Sequence, residues 1–158
     1  MLMDRLAQTA LKNQRKGAIG YMIKTYVIDT NVLIQAPYAI ECFEENNLVL
    51  PLVVLEELDG LKKAEGKKGA NARAAVRKLE SYRQKGDLLQ GVKLPGGGIL
   101  RIEKNFVQVE LPQDIPDDKP DNRILKVCKG LAETEKEGQV ILVTKDIVLR
   151  LKAQILGI

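Results

Sequence analysis

The chain has 158 residues, 45% of them hydrophobic and 29% charged, which suits one domain with an aliphatic core. It has no histidine, no tryptophan and two cysteines far apart, which excludes Ser-His-Asp and Cys-His catalysis, His-ligated zinc, iron–sulfur clusters and a disulfide scaffold. The net charge is +4, and the chemistry left to the chain is that of carboxylate, amine, hydroxyl and backbone groups.

No apolar run is long enough to span a membrane, and the N-terminus lacks the apolar stretch of a signal peptide. The expected setting is therefore a reducing, cytoplasmic one, with Cys42 and Cys128 as free thiols. Residues 1–21 carry Asp4, Arg5, Lys12, Arg15 and Lys16 with little periodicity and read as a tail or linker. The folded unit is expected over 22–158. Thr25–Ile28 reads as a short strand ending at Asp29, and Asn31–Ala36 as a helical turn stopped by Pro37. A helix is predicted from Pro37 to about Glu45. Leu48–Pro51 is a second apolar strand after the Asn46-Asn47 turn signal. Leu52–Lys63 has helical spacing, Glu65–Gly69 reads as a loop, and Ala70–Lys85 is a helix closed by Gly86.

Gly96-Gly97-Gly98 is a breaker. Ile99–Glu103 and Phe106–Leu111 are expected to pair as a hairpin around Lys104-Asn105. Pro112–Lys119 is a loop, and Pro120 opens a helix with Ile124, Val127, Cys128 and Leu131 on one stripe. Val140–Thr144 is a buried strand and Ile147–Leu156 the last helix. Strands alternating with helices argue for an α/β fold with a mainly parallel central sheet. Ligands then bind beyond the carboxyl ends of the strands.

Four acids stand out by placement. Asp29 directly follows an apolar strand and Asp146 follows another with Lys145 between, where each serves equally well as a cap or turn residue. Asp121 falls on the apolar stripe at the first turn of its helix, where the dipole favours an acid; it could also face solvent. Glu57 lies between Val54 and Leu61 on the buried stripe, whereas Glu56 neighbours Asp59. Glu57 is thus the better inward acid, with a solvated flank as the alternative. Clustered at one sheet edge, such acids are costly unless paired or metal-bound. Oxygen-only ligation suits Mg²⁺ or Mn²⁺.

Charge is also unevenly placed. Between Leu61 and Lys85 nine basic residues face two acidic ones, a local excess of seven that exceeds the charge of the whole chain. Lys62, Lys63, Lys67, Lys68, Arg73 and Arg77 lie in this stretch. It is an ordinary solvated face or, beside an acidic site, a seat for a polyanion. Aromatics are few, which favours backbone recognition over base readout.

Val27-Ile28-Asp29-Thr30-Asn31, Leu50-Pro51-Leu52-Val53-Val54-Leu55-Glu56-Glu57-Leu58-Asp59-Gly60-Leu61, Asp121-Asn122-Arg123-Ile124-Leu125 and Leu142-Val143-Thr144-Lys145-Asp146 resemble, in this order, the motifs of PIN-domain ribonucleases. More narrowly, they are similar to the PIN domain that precedes a PhoH-type ATPase. The resemblance covers about Lys24 to Ile158 and implies a three-layer α/β/α fold. It implies a metal site of Asp29, Glu57, Asp121 and Asp146, supported by Thr144, Thr30 and Asn31, and metal-dependent hydrolysis of single-stranded RNA that leaves a 5′-phosphate. The family motif has one acid where this chain has Glu56-Glu57. No GxxxxGK[ST] pattern occurs, so the ATPase part is expected to lie in a longer protein. The late hairpin resembles an insertion of this subgroup. Assembly of like chains is compatible with the sequence. The alternatives are a non-catalytic RNA-binding domain, a phosphotransfer domain with Asp29 as acceptor, and a toxin nuclease. Asn31 in place of a second aspartate weighs against phosphotransfer, and the longer Glu-Glu-Leu-Asp-Gly-Leu motif weighs against a toxin.

Overall fold

The computed structural model describes Met3 and residues 22–135 and 138–158. The tail expected over 1–21 lies outside the described residues, Met3 excepted. Strands β1 (Thr25–Ile28), β2 (Asn47–Pro51), β3 (Val92–Lys93), β4 (Ile99–Glu103) and β5 (Val140–Val143) form one sheet in the order β3-β4-β2-β1-β5. All neighbours are parallel except β3 and β4. Every residue of β1 is buried, as a parallel strand covered on both faces requires, and its Tyr-Val-Ile run supplies the apolar side chains.

The helices are α1 (Thr30–Gln35), α2 (Leu52–Leu61), α3 (Gly66–Arg83), α4 (Pro120–Thr134) and α5 (Ile147–Ile155), with a 3₁₀ segment at Pro37–Glu41. α1, α2 and α3 pack together, while α4 lies against β5 and α5. These are the two outer layers of a three-layer α/β/α sandwich. Leu125 of α4 joins Ile115, Leu149 and Ala153 in a second apolar cluster, apart from the main core. Among the described residues no helix is long and apolar enough to cross a membrane.

The chain moves outward from β1 through β2 to β4, then returns to the other side of β1 to make β5. Strand order therefore reverses between β1 and β5. In open α/β sheets the carboxyl side of such a reversal is where a crevice forms. β1 and β5 end there on Asp29 and Thr144, joined by a hydrogen bond from Asp29 N–H to the Val143 carbonyl at 3.0 Å.

Three expectations are corrected. The hairpin exists, but its arms are β3 and β4 across Gly96-Gly97-Gly98. β4 also pairs in parallel with β2, so it belongs to the central sheet. The 106–111 segment is not a strand. Phe106 has φ of 47° and turns its ring onto α4, where a Cβ at Gly130 would lie 2.2 Å from it. The helix expected from Pro37 to Glu45 is the shorter 3₁₀ segment. Glu44 then takes a left-handed φ of 54°, and Asn46 ties the turn by accepting from Lys24 N–H and donating to the Phe43 carbonyl.

The loop expected at Glu65–Gly69 is already helix from Gly66, so Lys67 and Lys68 sit on the first turn of α3. Gly69 is what permits it. A Cβ there would fall 1.7 Å from the Ala64 carbonyl oxygen, so only glycine lets α3 start this close to the end of α2. Gly69→Ala is expected to cost about 1–3 kcal/mol through overpacking, read as a lower denaturant midpoint at unchanged slope.

Candidate active site

Asp29 takes the N-cap position of α1, yet its side chain makes no capping bond. Its Oδ2 instead accepts from the Thr144 hydroxyl at 2.7 Å. Thr144 in turn accepts from Asp146 N–H at 3.1 Å. One buried hydroxyl thus locks the end of β1 to the β5–α5 turn. Asp29 is 3% exposed. Desolvation pushes its carboxyl above the usual range, the charges of Asp121 and Asp146 push the same way, and the Thr144 bond opposes them.

Asp146 caps α5. Its Oδ1 accepts from Val148 N–H at 2.8 Å and from Leu149 N–H at 3.3 Å. The cap and the site are therefore compatible uses of one residue, since a carboxylate has a second oxygen.

Glu57 is half-buried on α2 and Glu56 is exposed. Glu57 Oε1 is buried without a hydrogen-bond partner of normal geometry, and so is the neighbouring Thr30 Oγ1. Desolvation raises the Glu57 carboxyl, and Asp29 and Asp121 raise it further, against a lowering by Thr30.

Asp121 is the departure. It occupies the first turn of α4 as expected, but it is exposed. Helical spacing aligns it with Ile124 and Cys128, but it stands at the helix start, before the stripe that the core covers. Its charge still reaches both Asp29 and Glu57. The buried residue here is Asn122. Its Nδ2 donates to the Pro116 carbonyl at 2.6 Å and its Oδ1 accepts from Lys152 Nζ at 2.9 Å, which fixes the start of α4 to both the preceding loop and α5. Sequence reading had no signal for it beyond its place beside Asp121. Asn31 is exposed.

The charges of Asp121 and Asp146 thus reach Asp29, and those of Asp29 and Asp121 reach Glu57. Among the described residues no three carboxylates close on a single point. The donors nonetheless fit a hard cation by chemistry: they are all oxygen, two carboxyls are raised by burial and mutual repulsion, and a buried carboxylate oxygen lacks a partner.

The six basic residues divide. Lys62 pairs with Asp59 at 2.6 Å. Arg73 Nη1 donates to the Lys62 carbonyl at 2.7 Å, so it closes the end of α2. Lys63, Lys67, Lys68 and Arg77 are exposed, and none is in an ion pair among the described residues.

A three-layer sandwich with acids gathered at the switch between its central parallel strands is the architecture of a PIN-type domain. The PIN domain family model matches residues 26–158. Protein PhoH2 of Bacillus subtilis is 48% identical over 142 residues, covering 87% of this chain and 32% of the relative. Protein PhoH2 of Mycolicibacterium smegmatis is 40% identical over 139 residues, covering 86% and 31%. Protein PhoH2 of Thermobispora bispora is 39% identical over 137 residues, covering 85% and 30%. The chain belongs to the PIN domain family, and its relatives are of the PIN-PhoH type. It spans about a third of the length of the curated relatives it matches. PIN domains are a nuclease-type family that generally uses divalent metal.

Proposed function

We propose that this domain is an Mg²⁺- or Mn²⁺-dependent endoribonuclease that hydrolyses single-stranded RNA and leaves 5′-phosphate ends. The observation that carries the reading is the Asp29–Glu57 pair. Both carboxyls are raised by desolvation, the Asp29 charge raises Glu57 further, and neither is in an ion pair among the described residues. Folding alone does not require so costly a pairing.

Asp29, Glu57, Asp121 and Asp146 would hold the metal. When bound, such an ion neutralises the acids, lowers the pKa of a coordinated water and stabilises charge on the leaving oxygen. The chain's own residues do the rest. Thr144 fixes the Asp29 carboxylate, Asn122 and Lys152 fix the helix that presents Asp121, and Thr30 faces Glu57. Lys63, Lys67, Lys68 and Arg77 attract the RNA backbone, with Lys62 and Arg73 engaged in the fold as well. A longer protein of the relatives' size would bring the ATPase partner that the motifs imply. The free Cys42 and Cys128 suit a cytoplasmic setting.

The test is cleavage of end-labelled single-stranded RNA in Mn²⁺ against the same reaction in excess EDTA. Activity that survives EDTA would overturn the reading. Metal should also register without activity. At about ten times its dissociation constant, Mg²⁺ or Mn²⁺ is expected to add about 1.4 kcal/mol, a rise of about 3–5 °C in melting temperature. No shift at millimolar metal counts against a site.

One observation favours a second reading. Because no three carboxylates close on a single point in the described residues, a non-catalytic RNA-binding domain would keep the basic face and leave RNA intact in either metal.

A further inference from the structure

The turn after β5 places a cation beside the acids, and nothing above uses it. Lys145 stands between two anchored residues. Thr144 is buried and bonded to Asp29, and Asp146 caps α5. The Lys145 backbone is thereby pinned, and its carbonyl accepts from Arg150 Nη2 at 3.4 Å. Its exposed side chain crosses from the β5–α5 turn to the end of α1, where Nζ donates to Gln35 Oε1.

The nature of that partner matters. Asp146 is its neighbour in sequence and Asp29 lies one strand away, yet Lys145 is in no ion pair among the described residues. It is held by a neutral amide. The bond to Gln35 is charge-assisted on the donor side only, and a carboxylate or phosphate adds an opposite charge to the same donor, so the amide yields the ammonium to a phosphate more readily than a carboxylate would.

Position gives the direction. β5 is the outer strand at its end of the sheet, with β1 between it and β2. The Lys145 backbone therefore stands across β1 from β2, the strand that leads to Lys63, Lys67, Lys68 and Arg77, while its ammonium rests at the end of α1, which packs on α3. Released from Gln35, the side chain would start from the β5 side of the acids, opposite the strand that leads to the other lysines.

We infer that Lys145 leaves Gln35 to grip a backbone phosphate of the RNA strand on the β5 flank of the crevice, so that the strand is held on both sides of the bond to be cut. The inference rests on the nuclease reading above. It assigns Lys145 to substrate positioning, with no part in the bond-breaking step.

The experiment is fluorescence anisotropy of a 5′-labelled, mixed-sequence single-stranded RNA in EDTA, over a range of salt concentrations. Lys145→Gln is expected to weaken binding about 3- to 10-fold and to reduce the salt slope by about 0.7, one phosphate contact on a single strand. Lys145→Arg should restore both. Gln35→Ala, which frees the lysine, should bind as tightly as the parent or more so. In cleavage assays the Lys145→Gln defect should fall on KM, with kcat nearly kept. Unchanged binding and salt slope in Lys145→Gln, while Lys67→Gln/Lys68→Gln weakens binding, would overturn the inference and leave the nuclease reading standing. A drop in melting temperature that Lys145→Arg does not repair would make the residue structural, and would overturn it equally. Absence of salt-dependent RNA binding by the parent would remove the nuclease reading along with it.

Discussion

Asp29→Asn is expected to lower RNA cleavage by at least about 10³-fold, because on the proposed reading several kcal/mol of transition-state stabilisation through a bound cation would be lost with one of its ligands. The same change should leave the melting temperature equal or higher at neutral pH. The amide oxygen of Asn can still accept the Thr144 hydroxyl, so the lock between β1 and the β5–α5 turn survives. What disappears is a buried charge facing Asp121 and Asp146. The folded Asp29 carboxyl sits above its ordinary value of 3.8, so the native state binds this proton more tightly than the unfolded chain does. Its unfavourable contribution is absent below that ordinary value, grows as pH rises through the folded value, and is complete above it. The melting-temperature difference, Asn variant minus parent, should therefore widen from about pH 4 to pH 7 without metal. A variant that is inactive and less stable would mark Asp29 as a folding residue. A variant that is inactive and no less stable marks a residue kept at a cost to the fold, which is the usual signature of a functional site.

The sequence carried the sheet's centre and the acids' addresses well, for physical reasons. β1 was legible residue by residue because a strand covered on both faces must be apolar throughout, and Asp29 ends that run. α4 was legible because four apolar residues repeat at helical spacing after Pro120. The start of α3 was not. Gly66 and Gly69 look like loop residues, but Gly69 is there for close contact with the Ala64 carbonyl, which only the packed structure reveals. The second arm of the hairpin failed for a similar reason. Val107, Val109 and Leu111 alternate like a strand, but the Phe106 ring is drawn onto Gly130 and turns the backbone away. At the site, spacing gave the positions of the acids but not their exposure. Periodicity cannot say where along a helix the covering layer begins, so the spacing puts Asp121 on a buried stripe that starts only beyond it. Nor could composition separate Arg73, which holds a carbonyl, from Lys67 and Lys68, which are left open to solvent.

The adjacent pair Glu56-Glu57 gives the second large expected effect, and it is a contrast within one dipeptide. Glu57→Gln should reduce cleavage at least about 10²-fold and diminish the melting-temperature rise on adding Mn²⁺, while Glu56→Gln should stay within about twofold of the parent on both measures. The two residues have the same chemistry and differ only by one step of α2. That step turns Glu56 to solvent and places Glu57 Oε1 against Thr30 with no normal hydrogen bond. Stability supplies an independent check. The Asp29 charge raises the Glu57 carboxyl, and repulsion between two charges is mutual, so removing either relieves the one that remains. Asp29→Asn and Glu57→Gln should each stabilise the metal-free domain, and the double variant should gain less than the two single gains combined, because their repulsion can be removed only once. Strict additivity would mean that the two carboxyls do not feel each other, and the shared-site reading would then lose its main support. Inactivity of Glu56→Gln with full activity of Glu57→Gln would instead require α2 to be rotated by one residue in the working enzyme, moving the metal ligand to the other acid.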